Sequence, residues 1–279
     1  MSGRILVTGG TGKTGRRVVE ALREQGALGV PAARSVPPGG VRFDWADPAS
    51  WSAALDGVRA AYLVAPAAIG NASETMISFV ETAIERGVER FVLLSGSPIE
   101  AGGPMTGKVH AWLQTSDAEW AVLRPSWFME NLSEGPHHPP TIRHERAIYT
   151  AAGDGRVPFI NTWDIARAAA HTLTSEQAPN TDFVLTGTEL LSYSDVAQRL
   201  SSALGVTITH HPLTFEELVV RHMAHGLTET QAQTIAIIDL VIAEGAEERI
   251  TGCVEHLTQQ APISFDQFVG DNIATWSRA

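Results

Sequence analysis

Two hydrophobic periods alternate along the first half of the chain. Arg4 to Thr8 (RILVT) is a short, nearly unbroken apolar run bounded by polar and glycine positions, the pattern of a strand buried on both faces. Four glycines follow, Gly9, Gly10, Gly12 and Gly15, and then Arg16 to Arg23 repeats its apolar residues at helical spacing. The alternation continues with a strand over Val41 to Asp44, a helix over Pro48 to Leu55 opened by Asp47 and Pro48, and a strand over Ala60 to Ala65. An amphipathic helix over Ser73 to Glu85, a strand over Arg90 to Ser95, a helix over Gly107 to Thr115 and a strand over Glu119 to Arg124 complete it. Strands separated by helices require crossover connections, so the rhythm predicts an α/β fold with a doubly wound parallel sheet.

Beyond Val157 the pattern loosens. It predicts a helix over Asp164 to Thr174, a strand over Phe183 to Thr186, and a helix over Tyr193 to Leu204 capped by Ser192 and ended by Gly205. A strand over Val206 to His210 and helices over Leu213 to Ala224, Glu229 to Glu244, Val254 to Gln259 and Phe265 to Trp276 follow. We read residues 1–156 as a cofactor-binding core and 157–279 as a smaller mixed subdomain for the substrate, sharing one core because no linker or repeat separates them. The run Ile235 to Ile242 (IAIIDLVI) suits a buried helix or a subunit interface, with core burial the reading adopted and a homodimer the alternative use.

Composition removes several function classes. With 44% hydrophobic and 18% charged residues over 279 positions, the chain has enough apolar surface for a sizeable core and does not read as disordered. A formal net charge of -11 opposes binding to a polyphosphate backbone, so nucleic acid is not an expected partner. Cys253 is the single cysteine, which excludes an internal disulfide and, with no companions at ligand spacing, a structural zinc. His137, His138 and His144 lack a carboxylate at metal-ligand spacing, so no metal is expected there; His210, His211, His222 and His225 read as surface or pocket-rim residues. No apolar run reaches the roughly 18 residues of a membrane span, and no signal peptide precedes the first strand, so the expectation is a cytoplasmic protein with a small-molecule substrate and no membrane partner.

The glycines carry the first chemistry. Gly10-Thr11-Gly12-Lys13-Thr14-Gly15 has the spacing GxGxxG, directly after a strand and at the opening of a helix, where a pyrophosphate can meet backbone N–H groups and the helix dipole without a Cβ in the way. Gly9 to Gly15 are therefore expected to bind a dinucleotide. No acidic residue lies between Glu24 and Asp44 to bind a ribose 2′-hydroxyl, while Arg34 follows Gly15 by 19 positions, where a 2′-phosphate would sit. That predicts NADP, with Lys13 as a second cation or a solvated helix-start lysine, and Asp44 meeting the adenine or capping the next turn.

In a doubly wound sheet the ligand lies beyond the carboxyl ends of the strands, here Val64-Ala65-Pro66-Ala67, Ser95-Gly96-Ser97-Pro98 and Arg124-Pro125-Ser126-Trp127-Phe128. The nicotinamide is expected among Ala65, Pro66, Ser95, Ser97 and Ser126, and the substrate against Trp127, Phe128 and Asn131. Each has an ordinary structural use as well: turn serines, packing aromatics, a helix-capping asparagine. The segments VTGGTGKTG, LLSGS and GKVHAWLQTSDAEWAVLRPSWFMEN, followed downstream by VPFINTWDIARAAA, resemble the NmrA-like atypical short-chain dehydrogenase/reductases. Within that branch they are most similar to the agroclavine and festuclavine dehydrogenases of ergot alkaloid secondary metabolism and their actinobacterial relatives. The resemblance spans essentially the whole chain and implies an extended Rossmann core, an NADP(H) site and a substrate pocket roofed by the C-terminal portion.

One departure constrains the reaction. Conventional short-chain dehydrogenases pair a Tyr with a Lys four residues later to protonate an alkoxide, but Lys13 and Lys108 are the only lysines, preceded at that spacing by Gly9 and Pro104. Ser95, Ser97, Lys108 and His110 remain as catalytic candidates, His110 as an alternative proton donor or simply an exposed helical histidine. Hydride added to a ketone leaves an oxyanion that needs a proton, whereas hydride added to an iminium yields a neutral amine. The expected function is an NADPH-dependent reductase of a cyclic imine, iminium or quinone-like substrate. Against it stand a non-catalytic NADP(H)-sensing regulator and an isomerase or dehydratase on the same scaffold.

Overall fold

The computed structural model describes residues 3–66 and 71–277. Its first half contains β1 (Arg4–Thr8), α1 (Gly15–Glu24), β2 (Leu28–Ala33), β3 (Val41–Arg42), α2 (Ala49–Ala54), β4 (Val58–Val64), α3 (Ala72–Glu85), β5 (Arg90–Leu94), α4 (Thr106–Thr115) and β6 (Glu119–Pro125). A 3-10 turn (Met129–Asn131) leads to α5 (His138–Glu145), β7 (Ala147–Thr150), α6 (Thr162–Thr174), β8 (Thr181–Leu185), α7 (Tyr193–Leu204) and β9 (Thr209–Pro212). The chain ends in α8 (Phe215–Ala224), α9 (Glu229–Ala243), α10 (Cys253–Thr258) and α11 (Phe265–Trp276).

The chain forms two compact units. One comprises Met1–Pro125, Thr162–Leu185 and Gly252–Ala261, and the other Ser126–Asn161, Thr186–Thr251 and Pro262–Ala279. This departs from a single boundary at residue 156. The strand near Phe183, expected in the smaller subdomain, is β8, and it joins the main sheet because Ala121 to Pro125 of β6 pair in parallel with Thr181 to Leu185.

In the sheet unit seven strands run in the order β3-β2-β1-β4-β5-β6-β8, all parallel. The order reverses between β1 and β4, which makes their carboxyl ends the crevice of the fold. Leu6, Leu63, Phe79, Phe91, Leu93, Val109 and Val122 form part of one buried core, explaining the unbroken apolar runs of β4 and β5. Pro31 sits inside β2 without penalty because β3 pairs only with Ala32 and Ala33. The other face carries α6 against α1 and, beside it, α10.

The second unit has its own buried cluster, including Met129, Ile148, Phe159, Tyr193, Leu200, Phe265 and Trp276, and a two-stranded parallel pair of β7 and β9. The α7 helix forms as its caps dictate: Ser192 Oγ accepts from the Asp195 N–H, the Asp195 carboxylate accepts from the Ser192 N–H, and Gly205 turns left-handed at φ 65°. Two expectations fail here. The strand placed at Val206 to His210 pairs instead over Thr209–Pro212. The Ile235 to Ile242 run is not buried throughout: Ile237 and Ile238 are 54% and 42% exposed, while Asp239 in their midst is buried and accepts the Ala151 N–H at 2.8 Å. The helix turns its carboxylate inward because β7 ends on a backbone donor that needs a partner.

Candidate active site

The turn after β1 is shaped by its glycines. Gly9 takes φ +60°, a Cβ on Gly10 would lie 2.7 Å from the Pro31 Cα, and one on Gly15 would lie 2.2 Å from the Gly9 carbonyl oxygen. The Gly10 N–H donates to Ala32 O at 3.1 Å and the Gly12 N–H to Gly9 O at 2.8 Å, which folds the turn back over the start of α1. Thr14 precedes α1 without a side-chain capping bond, and no acidic residue occupies the first helical turn. This is a backbone cradle at a helix N-terminus that only glycines permit, and it fits a pyrophosphate. Thr11 is exposed, Lys13 half-buried and Thr14 buried on its rim.

Thr8 sits at the crevice itself. Its buried hydroxyl donates to Tyr62 O at 3.0 Å and accepts the Val64 N–H at 2.8 Å, holding β1 to β4 beyond the last paired residues, Val7 and Tyr62. Nothing in the sequence singled it out, since a threonine ending a strand has no distinctive spacing. Arg34 follows β2 directly and is exposed, with no hydrogen bond or ion pair among the described residues. Asp44 serves its own turn, accepting the Ala46 N–H at 3.0 Å on its side chain and the Trp51 indole N–H at 3.0 Å on its carbonyl. Ala65 and Pro66 are half-buried past β4, and Ala67 lies outside the described residues.

At the end of β5, the Ser95 N–H donates to Leu123 O, and Ser95 Oγ lies 2.8 Å from Thr106 Oγ1 at the start of α4. Thr106 was missed from the sequence, where it reads only as a helix-opening residue after Pro104 and Met105. Ser97 is fully buried; its N–H donates to Pro125 O and its carbonyl accepts from Arg124. Its backbone is thus part of the scaffold. Arg124 is 5% exposed and holds three chain segments, pairing with Glu100 and with Asp182 at 2.8 Å as well as with Ser97. Burial works against its charge, but the hydrogen bonds it donates to Glu100 and Asp182 outweigh it and raise the guanidinium pKa.

His110 corrects the sequence reading: it is 2% exposed, its ring tilted against Trp120, with no partner for Nδ1 among the described residues and its Nε2 3.4 Å from Gln114. The apolar face of α4 carries it inward, and burial lowers its pKa, with Arg124 adding to that effect and Asp182 and Glu100 opposing it. Lys108, two residues earlier, is exposed on the other face. Tyr62 is buried at mid-strand in β4, paired with Val7 and Val92, and burial raises its pKa.

In the second unit Ser126 is buried with no partner for its Oγ among the described residues, Trp127 and Phe128 are half-buried, and Asn131 is exposed on the 3-10 turn. The Phe128 and Ile160 backbones form a parallel bridge, with the Met129 N–H donating to Ile160 O at 2.9 Å. The rim reading of the histidines holds for His222 and His225, which line a cavity with His137, His138, Tyr149 and Arg221. No group of three or more His, Cys, Asp or Glu side chains among the described residues is arranged to hold a metal, and no described helix is long and apolar enough to cross a membrane.

Comparison with known proteins shows the family. The family described as NAD(P)H-binding matches residues 9–176. Agroclavine dehydrogenase of Claviceps fusiformis is 41% identical over 98% of each chain, and festuclavine dehydrogenase of Aspergillus fumigatus is 38% identical over 98% of this chain and 99% of its own. Among solved structures, an NADPH-dependent quinone oxidoreductase of Escherichia coli complexed with NADPH superposes with a TM-score of 0.82 at 22% identity, covering 96% of this chain and 99% of its own. The chain belongs to the NAD(P)H-binding family, with the agroclavine and festuclavine dehydrogenases as full-length relatives.

Proposed function

We propose that this protein is an NADPH-dependent reductase of a small cyclic imine, iminium or quinone-like compound. The observation that carries the reading is the chemistry at the end of β5: a hydroxyl pair, Ser95 and Thr106, with no Tyr four residues before either lysine. A bound reduced nicotinamide supplies a hydride at this edge. The chain's own part is to hold and shield. Gly9 to Gly15 take the pyrophosphate, Arg34 takes the 2′-phosphate, and the Ser95 and Thr106 hydroxyls orient the ring end of the cofactor, with Ser126 as a further hydroxyl. Trp127, Phe128 and Asn131, in the segment that leaves β6, are assigned to the substrate. Hydride arriving at an iminium carbon turns the C=N π pair into the nitrogen lone pair, so no proton is needed in that step, and a neutral imine first takes a proton from water to become that iminium. A reduced quinone spreads its charge and takes its proton from water. Agroclavine and festuclavine dehydrogenases as relatives support an oxidoreductase that acts on a compound of that kind.

The test has two arms. Arg34→Ala is expected to weaken NADPH binding by about tenfold or more while leaving NADH affinity unchanged, since a lost charge-assisted phosphate contact is worth about 1.5–3 kcal/mol. NADPH oxidation is then followed against cyclic imines, quinones and ketones. Turnover of ketones alone overturns the iminium reading. Tight NADPH binding without turnover of any class favours a sensor.

A further inference from the structure

The second unit holds a cavity that the reductase reading does not use. Its wall brings together His137 and His138 at the opening of α5, Tyr149 of β7, and Arg221, His222 and His225 of α8. The enclosed part is small, about 30 Å³ for the centres of water-sized groups, which is room for about two waters or one small ion. The lining is one-sided in charge. Four imidazoles and one guanidinium face the space, and none of the described lining residues is acidic. Glu145 stands beside it but is already held, since Arg221 Nη2 donates to both of its oxygens, at 2.9 and 2.7 Å. That pairing occupies one guanidinium nitrogen of the three.

The groups are held in place. The Arg221 guanidinium carbon lies 3.5 Å over the Tyr149 ring, which in turn stacks with His211 at 5.2 Å. His222 meets His137 edge to face, with ring centroids 5.1 Å apart. His225 Nδ1 lies 2.7 Å from Arg221 O; a carbonyl only accepts, so Nδ1 carries the hydrogen and Nε2 is the nitrogen left to take up a proton. A metal does not suit this lining, because no group of three or more His, Cys, Asp or Glu among the described residues is arranged to hold one and Arg221 would repel it. Phosphate does not suit it either. The α5 helix opens on His138, Pro139 and Pro140, and the two prolines withhold the backbone N–H groups with which a helix N-terminus meets a phosphate. The lining suits a small anion held by side chains, and a planar carboxylate matches a guanidinium edge.

We propose that this cavity is a binding site for a small carboxylate, held by Arg221 and by the protonated imidazoles of His222, His137 and His225. The site goes beyond the reductase reading and does not depend on it. In the empty cavity the charged form of His222 is opposed by burial and then by His137, His225 and Arg221, and none of the groups acting on it comes from α9, the helix packed against α8. A bound carboxylate supplies the missing opposite charge. Its binding therefore takes up protons and strengthens as pH falls.

The experiment titrates the full chain with formate, which stays ionised at both pH values used, at an ionic strength held constant with sodium chloride. Imidazole NMR signals report binding, with that of His222 assigned through His222→Asn. Saturable binding is expected, about threefold or more tighter at the lower pH of 5.5 than at 7.5, with His222 taking up its proton more readily when formate is bound. Arg221→Gln is expected to weaken binding about tenfold or more. Glu145→Gln frees Arg221 of its internal partner and is expected to tighten binding about threefold or more, a gain that misfolding cannot mimic. Sulfate at the same ionic strength is expected to bind about threefold or more weakly than formate. The proposal is overturned by a wild type that shows no saturation, by binding that ignores pH, by a Glu145→Gln chain that binds no better, or by sulfate binding as well as formate. Should Arg221→Gln fail to fold, the Glu145→Gln chain and the pH dependence decide. NADPH oxidation, which tests the reductase reading, is a separate measurement, so either idea can fail without the other.

Discussion

Some buried groups of the sheet unit and some of the second unit are handled in opposite ways. In the sheet unit the buried ionic groups are paired: Arg90, 2% exposed, donates to Glu119 at 2.7 Å and to Ser175 O at 2.7 Å, and the fully buried Asp164 accepts from Arg167 at 2.5 Å. Arg124 completes the set with Glu100 and Asp182. In the second unit two titratable groups, Asp239 and His222, have no ion-pair partner among the described residues. Asp239 accepts one backbone N–H, and burial pushes its pKa up to about 6; burial also pushes the half-buried His222 down to about 4, helped by His137, His225 and Arg221. A paired charge fixes geometry across the neutral range, whereas a lone buried group makes stability depend on its proton. The cradle and the hydroxyl pair lie in the unit that holds these three ion-paired clusters.

The most severe way to break that contrast is to unlock one pair. Arg124→Met is expected to lower the unfolding free energy by about 2–3 kcal/mol, below the roughly 3–5 kcal/mol of a fully buried pair because the Glu100 side chain is 72% exposed. Urea denaturation at pH 7 measures it. A loss under about 0.5 kcal/mol would mean that the sheet unit does not depend on its paired charges.

The same contrast explains what could be seen in the sequence. The β1-turn-α1 start was legible because its signals are local: an apolar run, glycines at fixed offsets, a helical period. The α7 helix was legible for the same reason, with Ser192 and Gly205 marking its ends. The α5 helix has no clear signal because Pro139 and Pro140 interrupt the helical pattern, although proline suits the first turn of a helix. The α9 run was misread because apolar count conceals which face turns inward, and Asp239 takes the buried side to reach Ala151. At the site, the glycine cradle announced itself, but the Ser95–Thr106 pair and the Arg124 clamp join residues 11 to 58 positions apart. Such pairs depend on strand order and helix rotation, which no local spacing encodes. His110 failed likewise, since one histidine on a helix does not say which face the sheet will cover.

A smaller effect sharpens the second half of the comparison. Asp239→Asn keeps an acceptor for the Ala151 N–H and removes the buried charge. The native pKa of about 6 lies above the unfolded value of 3.8, so the folded chain holds the proton more tightly and wild-type stability falls as pH rises through that window. The variant should therefore be more stable than wild type by about 2 kcal/mol at pH 7.5, with the advantage gone by pH 4. Paired denaturation curves at the two pH values check it. An equal advantage at both would mean that packing, not charge, is what changed.

The smallest effect has the opposite sign in the same window. His222 has a native pKa of about 4, below the unfolded value of 6.5, so the unfolded chain binds protons first and stability is lost as pH falls from 6.5 to 4. Because the ring is only half-buried, solvent screening reduces the cost to about 1 kcal/mol. Around it stand His137 and, on α8, Arg221 and His225, with the Glu145 carboxylate committed to Arg221 at 2.7 Å. Acidification thus adds a proton among positive neighbours with no spare carboxylate in the immediate cluster. In the wild type the acid gain at Asp239 offsets the acid loss at His222, and the two variants separate them. His222→Asn should gain stability between pH 6.5 and pH 4 relative to wild type, and Asp239→Asn should lose it, with unfolding free energies compared at constant ionic strength. Parallel profiles for the two variants would show that the second unit does not carry the lone titrating groups assigned to it.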